Sequence, residues 1–148
     1  MEIRKAEIND IHTIISWVKN EQECKTWAGS EVRFPLNIHN LLYDIKYSDD
    51  NSYCLISENN ILAFGQLLPK ANGFVHMARI IVSPSYRGNG YGKKLCNRLL
   101  QISEQLGYRK VSLFASKNNS ISINLYKKLG FKEVPKGSSQ DRCYMIKT

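Results

Sequence analysis

Arg87-Gly88-Asn89-Gly90-Tyr91-Gly92 stands between an apolar, strand-like run, Phe74–Val82, and a long stretch of helical period. The chain must turn sharply there, and glycine permits both left-handed torsions and a close approach of backbone to ligand. The helix that begins at this turn presents unpaired N–H groups and the positive end of its dipole. Together these features predict an anion site of pyrophosphate size, with Arg87 and Lys93 adding charge. A glycine-rich turn alone is a weak signal, because several nucleotide folds use one. A dinucleotide fingerprint fits poorly: the turn comes late, follows what reads as an antiparallel hairpin, and Lys110–Ser116 has no acid to hold a ribose. A Walker A loop is excluded, since Gly92-Lys93-Lys94 lacks the metal-binding hydroxyl.

Working outward, Tyr91, Leu95, Leu99, Ile102 and Leu106 share one helical face, and Gly107 suits a left-handed cap. Upstream, Tyr53–Ser57 and Ile61–Leu68 flank the polar Glu58-Asn59-Asn60 and read as a hairpin. Pro84 stops the third long strand, Phe74–Val82. Glu2–Ala6 is a short strand, and Asn9 or Asp10 caps a helix bearing Ile11, Ile14, Ile15 and Val18. Asn20–Phe34 reads as a loop with a helical turn, and Pro35-Leu36-Asn37 opens a helix whose stripe is Ile38, Leu41, Leu42 and Ile45. Downstream come a strand at Lys110–Ala115, a helix from Asn119 with Ile121, Leu125 and Leu129 at four-residue spacing, and strands at Phe131–Val134 and Arg142–Ile146. The predicted order is β-α-α-β-β-β-α-β-α-β-β, in one α/β (α+β) domain over residues 1–148.

The 148 residues, 43% hydrophobic and 23% charged, have the composition of a globular domain rather than a disordered chain. No apolar run reaches the ~20 residues that span a bilayer, and Met1–Lys5 lacks a signal-peptide core, so a cytoplasmic protein without a membrane partner is expected. Cys24, Cys54, Cys96 and Cys143 are scattered without metal-ligand spacing, so no metal is expected and the thiols are read as reduced. The net charge of +8 is spread along the chain without a run of five like charges. That pattern suits a polyphosphate ligand better than a nucleic-acid arm.

Ile81-Val82-Ser83-Pro84-Ser85-Tyr86-Arg87-Gly88-Asn89-Gly90-Tyr91-Gly92 resembles the acetyl-CoA signature of the GNAT superfamily of N-acetyltransferases, R/Q-x-x-G-x-G/A after a strand. A second block is similar at the expected distance: Asn119 to Phe131 resembles N-x-x-A-x-x-L-Y-x-x-x-G-F, with Ser122 in place of the alanine. The element order agrees over essentially the whole chain. The resemblance implies a mixed, mostly antiparallel sheet, flanked by about four helices and splayed open between its fourth and fifth strands, with acetyl-CoA in the gap. It implies that the backbone of Arg87, Gly88, Asn89, Gly90, Tyr91 and Gly92, with Lys93 alongside, binds pyrophosphate, and that Ile80, Ile81 and Val82 pair with pantetheine. Asn119 would approach the pantetheine or the pyrophosphate side. Tyr126 would face the thioester sulfur as general acid.

A phenol of pKa about 10 is chemically suited to protonate a departing thiolate. Tyr126 lies one residue beyond the Ile121/Leu125/Leu129 stripe, about 100° around the helix, which sets its hydroxyl beside the core face. The attacking amine must lose a proton, and His76 is the candidate base; a histidine merely hydrogen-bonded at a strand end is the competing reading. The period of two puts His76 on one face with Ala78, Ile80 and Val82, and Arg79 on the opposite face. Trp27 and Phe34 are candidate walls of the acceptor pocket, Glu21, Glu23 and Glu31 candidate attractors of a cationic amine, and Arg33 and Arg79 candidate partners for a carboxylate. The expected activity is acetyl transfer from acetyl-CoA to a primary amine, on a small molecule or a protein, by direct attack in a ternary complex. A non-catalytic acyl-CoA sensor is the alternative, and many relatives in the family form homodimers.

Overall fold

In the computed structural model, which describes residues Met1–Thr148, the apolar middle of the chain forms three antiparallel strands. These are β2 (Ser52–Ser57), β3 (Asn60–Pro69) and β4 (Phe74–Val82). Glu58 and Asn59 join β2 to β3 with φ of 50° and 66°, the left-handed torsions that a two-residue hairpin turn requires. With β1 (Glu2–Lys5), β5 (Lys110–Ser116), β6 (Lys132–Glu133) and β7 (Arg142–Lys147), they build a seven-stranded sheet of order β1-β2-β3-β4-β5-β7-β6. Every neighbouring pair is antiparallel except β4 and β5, so the sheet is mixed and mostly antiparallel, as expected.

Five helices cover the sheet. α1 (Ile8–Ile15), α2 (Glu21–Ala28) and α3 (Ile38–Asp44) share one core with Cys54, Ile56, Phe64 and Ile81, whereas α4 (Tyr91–Gln105) and α5 (Ser120–Lys128) share the other with Tyr53, Leu55, Val75 and Met77. A central strand buried on both faces reads as an unbroken apolar run, which is why β2 shows no alternation. α2 corrects the loop expected at Asn20–Phe34. Its Asn20 side chain accepts a hydrogen bond from Glu23 N at 2.8 Å, and only Cys24 and Ala28 are buried, a stripe too short to register as periodicity.

Two further expectations fail. Leu106 lies just past α4 and is 61% exposed; the buried stripe of that helix is Leu95, Cys96, Leu99 and Ser103. Ile121 is 83% exposed, and Tyr126 is the one buried residue of α5. Tyr126 meets Phe131 edge-on with ring centroids 6.0 Å apart. Turning the large ring inward rotates Ile121 to solvent, because one aromatic side chain buries more area than one isoleucine.

A bulge in β4 positions the site. Gln66 pairs with Ala78 but Phe64 with Ile81, so β4 carries an extra residue opposite Gly65, and Arg79 takes φ 54°. The period of two therefore breaks, and the faces predicted beyond Ala78 are reversed. Ile80 and Val82 pack with Val75 and Met77 against the α4 side, while Arg79 joins His76 and Ala78 in lining a cleft on the other face. Gly65 lies opposite the bulge, where a Cβ would sit 2.5 Å from Ile80 Cδ1 and 3.0 Å from Leu99 Cδ1, so those side-chain ends would have to shift to admit one.

β4 and β5 pair only at Phe74–Lys110, Val75–Val111 and His76–Ser112. Beyond His76 the two strands diverge, while β5 stays paired with β7 on its other edge as far as Ser116. The sheet is thus splayed where the sequence resemblance implied, and Met77–Val82 keep a free backbone edge toward the gap.

Candidate active site

Past Val82 the chain makes one short 3-10 turn, Pro84–Tyr86, and enters Arg87–Gly90. Gly88 and Gly90 have φ of 82° and 80°, and a Cβ at either would meet no protein atom within 4 Å. Their role is backbone angle and open space rather than packing. Asn89 Nδ2 donates to the carbonyls of Tyr86 (3.0 Å) and Arg87 (3.3 Å), and Arg87 Nε donates to Val82 O (3.1 Å). These bonds brace the turn through its carbonyls. The first N–H to bond into α4 is that of Lys94, to Gly90 O at 3.1 Å, so the N–H groups of Tyr91, Gly92 and Lys93 remain available at the helix start. The result is an open cradle of backbone donors at a helix start, an arrangement that attracts anions.

Asn119 caps α5, its side chain accepting from Ser122 N at 3.2 Å. Tyr126 is over nine-tenths buried, and burial pushes its phenol well above the usual range, so the hydroxyl holds its proton throughout the physiological range.

On the opposite face lies a cleft of about 1660 Å³. His76, Arg79 and Trp27 line it; Phe34 does not, and packs instead against the α1–α3 core. His76 Nδ1 is 2.8 Å from Ser112 Oγ, at the last residue pair before the strands part. Its ring stacks at a tilt on Phe114, 5.3 Å between centroids. Burial, reinforced by Lys70, Arg79 and Arg142, pulls the imidazole pKa down to about 4, so His76 is neutral near pH 7.

Arg79 Nη1 donates to Gln66 Oε1 at 3.0 Å and to Ile45 O at 3.4 Å. Fully buried Gln66 in turn donates to Ile45 O (3.0 Å) and Ser52 Oγ (3.1 Å). Arg79 Nε has no partner, and neither has Trp27 Nε1. Across the cleft Arg142 pairs with Glu31 at 3.0 Å and lies 4.0 Å from the Phe114 ring centroid, which stands 5.1 Å from that of Tyr144. Asp44 is held by Arg33 at 2.9 Å. Thus Glu31 and Arg33, considered as acceptor ligands, are both committed to ion pairs.

Residues 14–131 match the family model described as "Acetyltransferase (GNAT) family". The chain belongs to the GNAT acetyltransferase family. The spermidine N(1)-acetyltransferase of Thermoplasma acidophilum is 28% identical to it over 144 residues, covering 89% of this chain and 88% of that protein. The glucosamine 6-phosphate N-acetyltransferase of Trypanosoma brucei brucei is 44% identical over 57 residues, 38% of this chain and 37% of that one. This GNAT chain spans 51% of the length of a Schizosaccharomyces pombe UPF0039 protein and 26% of an uncharacterized Methanocaldococcus jannaschii N-acetyltransferase that it also matches. Its fold superposes on the crystal structure of the PaiA N-acetyltransferase from Thermoplasma acidophilum in complex with coenzyme A, with a TM-score of 0.78. That likeness covers 99% of this chain and 98% of the other at 22% identity. No helix of the chain is long and apolar enough to cross a membrane.

Several residues in and beneath the cleft carry little or no signal in the sequence. Gln66 was visible as a polar interruption of an apolar run, a signal of a buried polar network. Ser112, Phe114, Arg142 and Tyr144 carried none, because their roles come from strand pairing across β5 and β7.

Proposed function

We propose that the chain transfers the acetyl group of acetyl-CoA to a primary amine by direct attack. The observation that carries this reading is the splay of β4 from β5, with a glycine cradle of backbone donors on one side and a side-chain-lined cleft on the other. The donor supplies an activated thioester carbonyl. The N–H groups from Arg87 to Lys93 hold its pyrophosphate, and the free edge of β4 at Ile80–Val82 pairs with its amide-bearing arm, with Asn119 at the start of α5 nearby. Backbone N–H groups near Ile81 and Val82 stabilise charge that develops on the thioester oxygen.

In the transfer, the amine nitrogen forms a bond to the carbonyl carbon and the carbon–sulfur bond breaks. Tyr126 gives its hydroxyl proton to the leaving sulfur, the surplus proton of the amine leaves through His76 and water, and a proton from solvent restores the Tyr126 phenol. A base of pKa about 4 does not store that proton; it passes it on, with Ser112 orienting the ring. Trp27 and Arg79 position the acceptor. The family membership and the names of the relatives support acetyl-CoA as donor and an amine as acceptor.

The test is a thermal-shift titration with acetyl-CoA followed by thiol release across an amine panel. A ligand at 100 times its dissociation constant adds about 2.7 kcal/mol of stability. Stabilisation with amine-dependent thiol release is expected; the absence of both overturns the reading.

A further inference from the structure

Relatives of this chain are named for a polyamine and for a phosphorylated amino sugar, so their names do not choose between a cationic and an anionic acceptor. The cleft does. Its only buried side-chain nitrogen or oxygen atoms without a partner are Trp27 Nε1 and Arg79 Nε. Both can only donate: indole N–H has no lone pair to offer, and guanidinium accepts nothing. Two orphan donors with no orphan acceptor call for a ligand group that accepts, since a buried polar group left unpaired costs free energy. Arg79 is held by Nη1 to Gln66 and Ile45, which leaves the other edge of its fork unbonded.

The charges around it agree. Six cationic side chains line the cleft against three carboxylates. Glu31 and Asp44 are taken by Arg142 and Arg33, leaving Asp141 as the one unpaired acid. Lys25, Lys46, Lys70 and Lys117 are in no ion pair. A site for a polycation would offer free carboxylates; this one offers free cations.

We infer that the acceptor is a primary amine that also bears an oxyanion, carboxylate or phosphate, held by Arg79 and Trp27 in the cleft. The inference rests on the transferase reading and narrows it. An arginine fork binds such groups through two parallel N–H bonds, which fixes orientation as well as charge and would aim the amine toward the splay.

The experiment compares matched amines by acetyl-CoA-dependent thiol release: β-alanine against n-propylamine, O-phosphoethanolamine against ethanolamine, and spermidine as the polycation. The oxyanion-bearing member of at least one pair is expected to show kcat/KM at least about tenfold higher, the size of one good charge-assisted contact. A lead by β-alanine assigns a carboxylate, and a lead by O-phosphoethanolamine a phosphate. Arg79→Gln should erase the preference while the thermal shift given by acetyl-CoA is retained. Trp27→Phe, which keeps a ring and removes the donor, should reduce the preference several-fold. Preference for spermidine or for the uncharged amines overturns the inference, as does a preference unaltered in Arg79→Gln.

Binding separates this inference from the transferase reading. Glutarate or inorganic phosphate should stabilise the acetyl-CoA-saturated wild type and not Arg79→Gln. That result with no thiol release from any amine counts against transfer while supporting the subsite. Turnover without either the shift or the preference overturns the subsite and leaves transfer standing.

Discussion

The two sides of the splay are built from different materials. The Arg87–Gly92 cradle is made of backbone: two left-handed glycines, a helix start and an asparagine that braces carbonyls. The cleft proposed for the acceptor is made of side chains from α2, α3, β3, β4, β5 and β7 and from the loops beside them. Backbone donors are indifferent to side-chain identity, so the first side suits a ligand that every turnover shares. Side chains can be exchanged singly, so the second suits a ligand that differs from one family member to the next.

The sharpest way to break this contrast is Gly90→Val. A β-branched residue at φ 80° is strained, and its side chain fills the open cradle, so stabilisation by acetyl-CoA should vanish in a thermal-shift titration. Retained stabilisation would show that the turn is not the donor's phosphate site. Tyr126→Phe should lower kcat by about a hundredfold, the lower range for a lost general acid, with acetyl-CoA affinity within about twofold. Unaltered turnover removes the phenol from the chemistry.

On the acceptor side the effect of His76 is read in stability. Its folded pKa of about 4 lies below the ordinary 6.5, so the unfolded chain takes up the proton first. The stability that comes from keeping the ring neutral is complete above pH 6.5 and is lost as the pH falls toward 4, on the order of 3 kcal/mol in all. Denaturant unfolding across that range should show a steeper decline for wild type than for His76→Phe. Parallel curves would mean that the ring is not held neutral by its surroundings. Glu31→Gln should matter least. Its ion pair with Arg142 is partly exposed, so thermal unfolding should shift by no more than about 1 kcal/mol.

The same division explains what could be read from sequence. The cradle was legible because its geometry demands glycines at fixed spacing, and the Asn119–Phe131 block because a cap, a tyrosine and a closing glycine recur at fixed intervals. The hairpin order of the sheet was legible from apolar runs and polar turns. The α2 helix was not, having a polar surface and two buried residues. The inward face of α5 was misread because leucine spacing suggested one stripe while a single tyrosine decided the packing. Most consequential was β4. Strict alternation puts Arg79 away from His76, and nothing in the local composition of β4 announces the bulge, which shows only in its register against β3.

That bulge has a bearing on descent. A residue removed between Ala78 and Ile80 would restore plain alternation and swing the arginine's place in the cleft to an apolar side chain. One added there would disturb the free edge downstream. Substitutions in β4 keep its register, whereas each gain or loss of a residue within it shifts Ile80–Val82 against β3 and should be selected against. Variants recovered from random insertion and deletion libraries ought to leave a conspicuous gap across those few codons.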